Sequence, residues 1–197
     1  MRASRRIVAI ILIFCIAVAI GIGVDLLWNE IEQKSHPQTY AELVTRYSAE
    51  YNIPEYIIYA VIKTESDFDP TAESTAGAIG LMQMMPETFA WLTGDEHLRE
   101  YLPPSALNEP DVSIRYGTYY LRYLFRQFDY HWDHALAAYN GGEGNVAKWL
   151  ADPECIDEEG NLTYIPFPET RSYVSKVNEA IEVYRKLYYE PNEGVST

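Results

Sequence analysis

The sequence predicts a mainly α-helical protein in which one membrane-spanning helix precedes a single compact helical domain. An uncharged apolar run covers residues 7–24, and several later segments carry apolar residues at helical spacing. No long stretch alternates polar and apolar residues, as a half-buried β-strand would. The 197 residues allow one core of ordinary size together with an accessory segment.

The apolar run, IVAIILIFCIAVAIGIGV, follows the basic stretch MRASRR. A helix over residues 7–24 would reach roughly 27 Å, close to the thickness of a bilayer's hydrocarbon core. Basic residues favour the cytoplasmic side, so residues 1–6 are predicted to be cytoplasmic and the later domain to lie outside the cell membrane. A cleaved signal peptide is the alternative, because the sequence AVA at residues 17–19 resembles a cleavage site. A retained single-pass anchor is favoured, since the run is long for a signal peptide.

The remainder divides into a polar juxtamembrane stalk over residues 25–36, a folded domain over residues 37–190 and a flexible tail over residues 191–197. Helices are predicted over residues 39–51, from Pro54 to before Pro70, from Pro86 onward, and over residues 110–128, 132–139, 143–150 and 168–188.

Two local signals define where these helices begin. Proline is favoured in the first turn, which supports starts at Pro54, Pro86, Pro110 and Pro168. Thr39 is followed three residues later by a glutamate, a capping-box pattern that predicts Thr39 as the N-cap of the first helix. The small residues between the second and third helices predict a tight loop or short ribbon.

Charge and cysteine content exclude some classes of partner and fold. The chain carries 29 acidic and 15 basic residues, a formal net charge of −14, and three of the arginines precede the apolar run. The exported part is therefore strongly acidic and repels polyphosphates, which excludes nucleic acid as a partner. Cys15 lies in the membrane run and cannot pair with Cys155, so no disulfide framework is predicted.

Glu65 occupies an unusual position in the second predicted helix. It follows Val61 by four residues and Ile58 by seven, which places it on the apolar stripe. One interpretation is a helix-end carboxylate that reaches water. The other is a general acid, because desolvation raises the pKa of a carboxyl group and keeps its proton available near neutral pH.

Other polar residues suggest a binding site. Gln83 stands among methionines in the segment GLMQMMP, and Tyr139 and Asn140 precede a glycine turn. His131 and His134 have the spacing of two metal ligands, but no third ligand is near, so neither a metal nor another cofactor is predicted. The tyrosines between residues 116 and 123 recur at helical spacing, which is typical of core positions, with one or two edging a groove.

Four segments resemble the motifs of a known family and occur in the same order along the chain. They are Glu65-Ser66 with Ser74, GAIGLMQMMPET at residues 77–88, AYN at residues 138–140, and IPFPETRSYV at residues 165–174. Together they resemble the motifs of the lytic transglycosylase catalytic domain, a family similar to goose-type lysozyme. The resemblance covers about residues 39–188. It implies a lysozyme-like fold of the α+β class, mostly helical, with a groove that binds glycan strands of bacterial peptidoglycan.

The resemblance also implies roles for single residues. Glu65 matches the catalytic acid, and the positions that match the substrate groove are Ser74, Gln83, Met85, Tyr139, Asn140 and Glu169. For Glu169 a structural role stays equally open, because it could cap the last helix or pair with Arg171.

The implied reaction uses a single glutamate. It protonates the β-1,4 bond between N-acetylmuramic acid and N-acetylglucosamine and then accepts the proton of the muramyl 6-hydroxyl, which closes a 1,6-anhydro ring. Most glycosidases need a second carboxylate, but Asp67 and Asp69 at the helix end are predicted to cap or face water.

Two alternative functions remain open at this point. One is a goose-type lysozyme-like hydrolase, in which water attacks. The other is a catalytically silent glycan-binding module of a cell-wall complex.

The implied partners are peptidoglycan strands, the cytoplasmic membrane through the N-terminal helix, and a cell-wall remodelling complex.

Overall fold

The computed structural model describes residues 2–94 and 97–190. Contacts divide the chain into two units, Met1–Pro37 and Gln38–Thr197. The flexible tail predicted for residues 191–197 lies outside the described residues.

The first unit is one long helix, α1, over Arg2–Ser35. Its segment Phe14–Ser35 is long and apolar enough to cross a membrane, and none of it is buried. Phe14 is 68% exposed and Trp28 is 62% exposed. Apolar surface of this extent is costly in water and typical of a segment that meets a partner or lipid. The residues predicted as a stalk continue this helix to Ser35.

The second unit is helical, which confirms the predicted fold class. Its elements are α2 (Ala41–Tyr51), α3 (Glu55–Ser66), α4 (Pro86–Leu92), a 3₁₀ turn (Pro104–Asn108), α5 (Pro110–Gln127), α6 (Trp132–Gly141), α7 (Glu143–Leu150), α8 (Pro168–Tyr184) and a π-helical turn (Arg185–Tyr189). In the described ranges β-structure is limited to isolated bridges, including those that join Ile79 to Glu73 and to Met84. These two bridges form the short ribbon expected before α4.

Three of the four predicted proline starts are confirmed, whereas Pro54 is the N-cap of α3 instead of a first-turn residue, and the capping box was wrong. α4, α5 and α8 begin at Pro86, Pro110 and Pro168. α2 instead takes Tyr40 as its N-cap, in the left-handed conformation at φ 64° and with no side-chain cap hydrogen bond. Thr39 therefore stands one residue too early for its hydroxyl to cap the first turn. The last helix also changes to π-type hydrogen bonding after Tyr184.

The core surrounds α3. Its residues Ile58, Val61 and Ile62 are fully buried, and the helix packs against both α2 and α8. The rings of Tyr59 on α3 and Tyr184 on α8 stack with centroids 5.3 Å apart. Burial of such side chains stabilises the folded state by about 1.5–3 kcal/mol each. The C-terminal end of α3 is therefore held rigidly beside α8.

Candidate active site

Glu65 lies in the last turn of α3, on the stripe that carries the fully buried Ile58, Val61 and Ile62. The helix ends immediately afterwards, because Asp67 takes the left-handed conformation at φ 51° and its backbone N–H bonds to the carbonyl of Lys63. The carboxyl group is thus partly buried at the point where the apolar face of the helix stops.

The surroundings of Glu65 favour its protonated form. Burial raises the pKa of this carboxyl to about 8 from an ordinary value of 4.5. The hydroxyl of Tyr173 lowers this pKa, and the negative charge of Glu169 raises it further. Desolvation is the largest of the three effects, so the group retains its proton at neutral pH. This is the state that a general acid requires.

Two tyrosines, the half-buried Tyr139 and the buried Tyr173, interact with the carboxyl group. Burial and the charge of Glu65 raise the pKa of Tyr139 and of Tyr173 well above the ordinary value of 10.0. The hydroxyl of Tyr139 donates to the carbonyl of Met82 at 2.8 Å. The hydroxyl of Tyr173, in contrast, has no hydrogen bond within 3.5 Å in the described part of the chain, and the group it interacts with is the Glu65 carboxyl. A buried donor held this loosely beside Glu65 is costly for the fold and available to a ligand or to the carboxylate.

The ribbon before α4 is attached to three helices. Ser66 on α3 donates its hydroxyl to the carbonyl of Leu81 at 2.8 Å. The backbone N–H of Met82 donates to the hydroxyl of Ser113 on α5 at 3.1 Å, and its carbonyl accepts from Tyr139 on α6. These bonds fix the ribbon at a set distance from the end of α3.

Two glycines permit this close approach. A Cβ atom at Gly80, whose φ is +81°, would lie 2.0 Å from the backbone oxygen of Leu107. A Cβ atom at Gly117 on α5 would lie 2.3 Å from the sulfur of Met82. Larger residues at either position would push the ribbon away from the helices that hold it.

A cleft of about 140 Å³ opens between the ribbon, α4, α5 and α6. Its lining consists of Gln83, Met84, Met85, Thr88, Tyr120, Ala138, Tyr139, Asn140 and Gly142. Met85 is 37% exposed in this cleft, so its thioether presents an apolar surface to solvent. Because Tyr139 both lines the cleft and interacts with Glu65, the cleft and the carboxyl group belong to one site.

The predicted groove residues divide into two groups. Gln83, Met85, Tyr139 and Asn140 line the cleft, whereas Ser74 does not. The hydroxyl of Ser74 accepts the backbone N–H of Ala78 at 3.0 Å, which closes the loop that leads to the ribbon.

Gln83 is more constrained than the sequence suggested. Its amide nitrogen donates to the carbonyls of Ala72 and Gly80, at 2.9 and 3.0 Å. Both donor hydrogens are therefore used inside the protein, and the side-chain oxygen is the atom that remains for a ligand.

Glu169 is exposed in the first turn of α8. Its charge acts on Glu65, which places it near the site. No ion pair joins it to Arg171 within the described residues. The Arg171 guanidinium instead donates to the carbonyl of Ile165 at 3.0 Å and lies 4.8 Å from the ring centroid of Tyr164.

The acidic residues after Glu65 have structural contacts. Asp67 pairs with Lys63 at 2.5 Å, and its side chain is 74% exposed. Asp69 accepts the backbone N–H and the hydroxyl of Thr71, both at 2.8 Å. Neither group is placed as a partner for Glu65.

The paired histidines also have a structural explanation. His134 accepts the backbone N–H of Leu162 at 3.2 Å, and burial lowers its pKa. The described residues contain no group of three or more His, Cys, Asp or Glu side chains that could hold a metal ion.

Tyr173 lies in the fourth motif, but no role was predicted for it. Its spacing of four residues from Glu169 places both on one face of α8, and this was the available signal. Tyr120 is one of the helically spaced tyrosines, and it edges the cleft while being 9% exposed.

Comparison with known proteins decides the family. The Transglycosylase SLT domain matches residues 42–159. The chain belongs to this transglycosylase family. The family match includes Glu65 and the cleft, and α8 with Glu169 and Tyr173 follows it in the chain.

Individual relatives of this transglycosylase domain support the same family assignment. A soluble lytic murein transglycosylase of Salmonella typhimurium is 38% identical over 152 residues, which are 77% of this chain and 23% of that protein. A membrane-bound lytic murein transglycosylase C of Klebsiella pneumoniae is 29% identical over 191 residues, 86% of this chain and 52% of that protein.

The fold agrees with a solved structure of the family. The 70 kDa soluble lytic transglycosylase of Escherichia coli superposes with a TM-score of 0.74 at 34% identity, over 81% of this chain and 26% of that one. This chain therefore spans about a quarter of the length of the soluble relatives that it matches.

Proposed function

We propose that this protein is a peptidoglycan lytic transglycosylase with Glu65 as its catalytic acid and base. The observation that carries the proposal is a single desolvated carboxyl group, with a pKa of about 8, beside the cleft. Membership of the transglycosylase family and the names of its relatives support peptidoglycan as the substrate.

Glu65 gives one proton and takes one back in the proposed reaction, so no water molecule is consumed. Glu65 gives its proton to the oxygen of the leaving N-acetylglucosamine as the β-1,4 bond breaks. The muramyl 6-hydroxyl then bonds to the anomeric carbon, and its proton returns to the Glu65 carboxylate. The enzyme ends in its starting state, and the product is 1,6-anhydro-N-acetylmuramic acid. A pKa near 8 suits both transfers, since the group can give and accept a proton near neutral pH.

The walls of the cleft have complementary roles. Met85 and the tyrosine rings present apolar surface suited to the faces of sugar rings, while Asn140 and the side-chain oxygen of Gln83 offer polar contacts. The hydroxyl of Tyr173 can donate to the Glu65 carboxylate that forms after the first proton transfer, because it has no other partner in the described residues.

A hydrolase is the second candidate, and Glu169 is the observation that favours it. Its charge acts on Glu65, so it is near enough to be considered as a base for an attacking water. In that case the product would carry a reducing end in place of the anhydro ring.

The product distinguishes these functions. The full chain in detergent, incubated with purified peptidoglycan, is expected to release muropeptides that end in 1,6-anhydro-N-acetylmuramic acid. Mass spectrometry would find them one water lighter than hydrolysis products, with no label taken up from heavy-oxygen water. Labelled reducing ends would establish a hydrolase. Binding without release of any product would establish a catalytically silent glycan-binding module.

Tyr173 and Glu169, the two neighbours of Glu65, should determine how kcat/KM varies with pH. The wild-type kcat/KM is expected to fall above about pH 8, where the acid loses its proton. Tyr173→Phe removes a group that lowers the Glu65 pKa, so this alkaline limb should move to higher pH. Glu169→Gln removes a charge that raises the Glu65 pKa, so the limb should move to lower pH. Each shift should be roughly one pH unit or less.

The exposed Glu73 provides the control for these profiles. Glu73→Gln makes the same chemical change as Glu169→Gln and should leave the limb in place. Shifts of the two test variants in the same direction would contradict the assignment of the limb to Glu65.

The location is also a proposal. The exposed apolar helix α1, the basic residues before it and the membrane-bound relative together support a single-pass anchor with the domain outside the cytoplasmic membrane. The full-length protein should stay in membranes after alkaline extraction and be digested by protease added from outside. A soluble mature protein that lacks its first residues would show cleavage of a signal peptide instead.

A further inference from the structure

A second cleft lies at the C-terminal end of α5 and has a volume of about 430 Å³. Its lining consists of Tyr119, Arg122, Tyr123, Arg126, Gln127 and Tyr130. We call it the arginine cleft. The proposed reaction uses none of these residues.

The two arginines of this cleft differ from others in the domain. Arg115 pairs with Glu100 at 2.7 Å, and Arg185 pairs with Glu190 at 3.1 Å. Within the described residues, no carboxylate oxygen lies within 4.0 Å of a guanidinium nitrogen of Arg122 or Arg126. The Arg122 guanidinium instead lies 6.0 Å from the ring centroid of Tyr130.

The proximity of these two positive charges is unfavourable for the helix. Arg122 and Arg126 are four residues apart on α5, so they are neighbours of like charge. Arg126 in the last turn gains from the helix dipole, but Arg122 lies one turn earlier. In a chain with a formal net charge of −14, two adjacent cations that have no anionic partner among residues 2–94 and 97–190 are suited to an anionic ligand.

The arginine cleft adjoins the candidate active site. Tyr120 lines the active-site cleft, Tyr123 lines the arginine cleft, and their rings stack with centroids 6.2 Å apart. The Tyr120 ring is also 5.4 Å from that of Tyr139. A polymer bound at Tyr139 can therefore continue over this tyrosine pair to the arginines. The negative charge of Glu143 acts on Tyr123, and the two arginines are the cationic residues that line the cleft.

We propose that the arginine cleft binds a carboxylate of the short peptides that peptidoglycan carries on its muramyl sugars. The inference rests on the proposed function, because it takes peptidoglycan as the substrate. A guanidinium presents paired N–H donors that match the two oxygens of a carboxylate, and the tyrosine rings provide walls for the peptide chain. The cleft would thus select glycan strands that still carry their peptides.

Binding of two forms of the same strand tests this proposal. The full chain with Glu65→Gln, which is expected not to cut, is titrated with labelled glycan strands before and after an amidase has removed their peptides. Adding Arg122→Gln and Arg126→Gln should weaken binding of peptide-bearing strands by roughly 3- to 10-fold. Binding of peptide-free strands should change less than about twofold.

The matched control removes the same charge elsewhere. Lys176→Gln with Lys186→Gln neutralises two exposed cations that line neither cleft, and it should leave both affinities unchanged. Equal weakening for both forms of the strand, or no weakening for peptide-bearing strands, would overturn the proposal. The proposed function fails separately, if the wild-type chain yields no anhydro product, because the binding comparison does not depend on cleavage.

Discussion

Glu65→Gln is expected to reduce the rate of muropeptide release by at least about 10²-fold, since the amide cannot transfer a proton. The substitution keeps the size of the side chain and its capacity for hydrogen bonds. Gln83, Met85 and Tyr139 remain in the cleft, so affinity for glycan strands should persist. The measurement is single-turnover release of product at saturating protein, which separates chemistry from binding.

Glu73→Gln is the matched control, because it makes the same chemical change at an exposed position eight residues later. It should retain nearly the full wild-type rate. A Glu65→Gln variant that is folded, binds glycan and still releases product at near the wild-type rate would show that Glu65 is a structural residue. The proposed mechanism would then be wrong.

Glu65→Gln should also change how the free energy of unfolding depends on pH. The folded-state pKa of Glu65 is raised to about 8 from an ordinary value of 4.5. Between these pH values the folded protein holds a proton that the unfolded chain releases. The contribution of Glu65 to the stability of the wild type should therefore fall as the pH rises through this window, by at most about 1.4 kcal/mol per pH unit.

Glutamine does not titrate, so Glu65→Gln lacks this loss of stability. Its advantage over the wild type should be small near pH 4.5, increase up to about pH 8 and then stay constant. Urea unfolding of both proteins at a series of pH values measures the difference. Glu73→Gln should follow the wild-type profile. A constant difference between Glu65→Gln and the wild type across the window would mean that the folded carboxyl has no raised pKa.

Such a cost in stability is expected at a functional site. A desolvated carboxyl and a buried tyrosine hydroxyl with no hydrogen bond within 3.5 Å in the described residues both oppose folding, yet here they are adjacent. Tyr173→Phe removes the second of these costs and should leave the free energy of unfolding unchanged or increase it. The rigid attachment of the ribbon to α3, α5 and α6 holds the site together in spite of these costs.

Local sequence signals predicted most of the helical framework. Proline determined the first residues of α4, α5 and α8, because it suits only the first turn of a helix. The apolar stripe of α3 predicted both its burial and the unusual position of Glu65. The capping box failed because backbone geometry at Tyr40, which the pattern does not encode, placed the N-cap one residue later than Thr39.

The sequence did not predict which hydrogen bonds the side chains of the site make within the protein. Gln83 was predicted to line the substrate groove, but the loop carbonyls of Ala72 and Gly80 occupy its donors. The ion pair considered for Glu169 is not formed in the described residues, because Arg171 bonds to a backbone carbonyl instead. In both cases the competing partner is a backbone group, whose position depends on the local turn and not on side-chain identity.

The sequence by itself determined that this chain has an apolar N-terminal helix, a helical domain and a carboxyl group on an apolar face. Each of these depends on residues within a few positions of one another, where helical spacing and proline geometry act. Only the tertiary structure decided the pKa of Glu65 and the position of the arginine cleft. The first depends above all on burial of the carboxyl, and then on Tyr173 and Glu169, about a hundred residues away, which reach Glu65 because α3 packs against α8. Desolvation and charge act through space, and the packing of helices decides which groups are near.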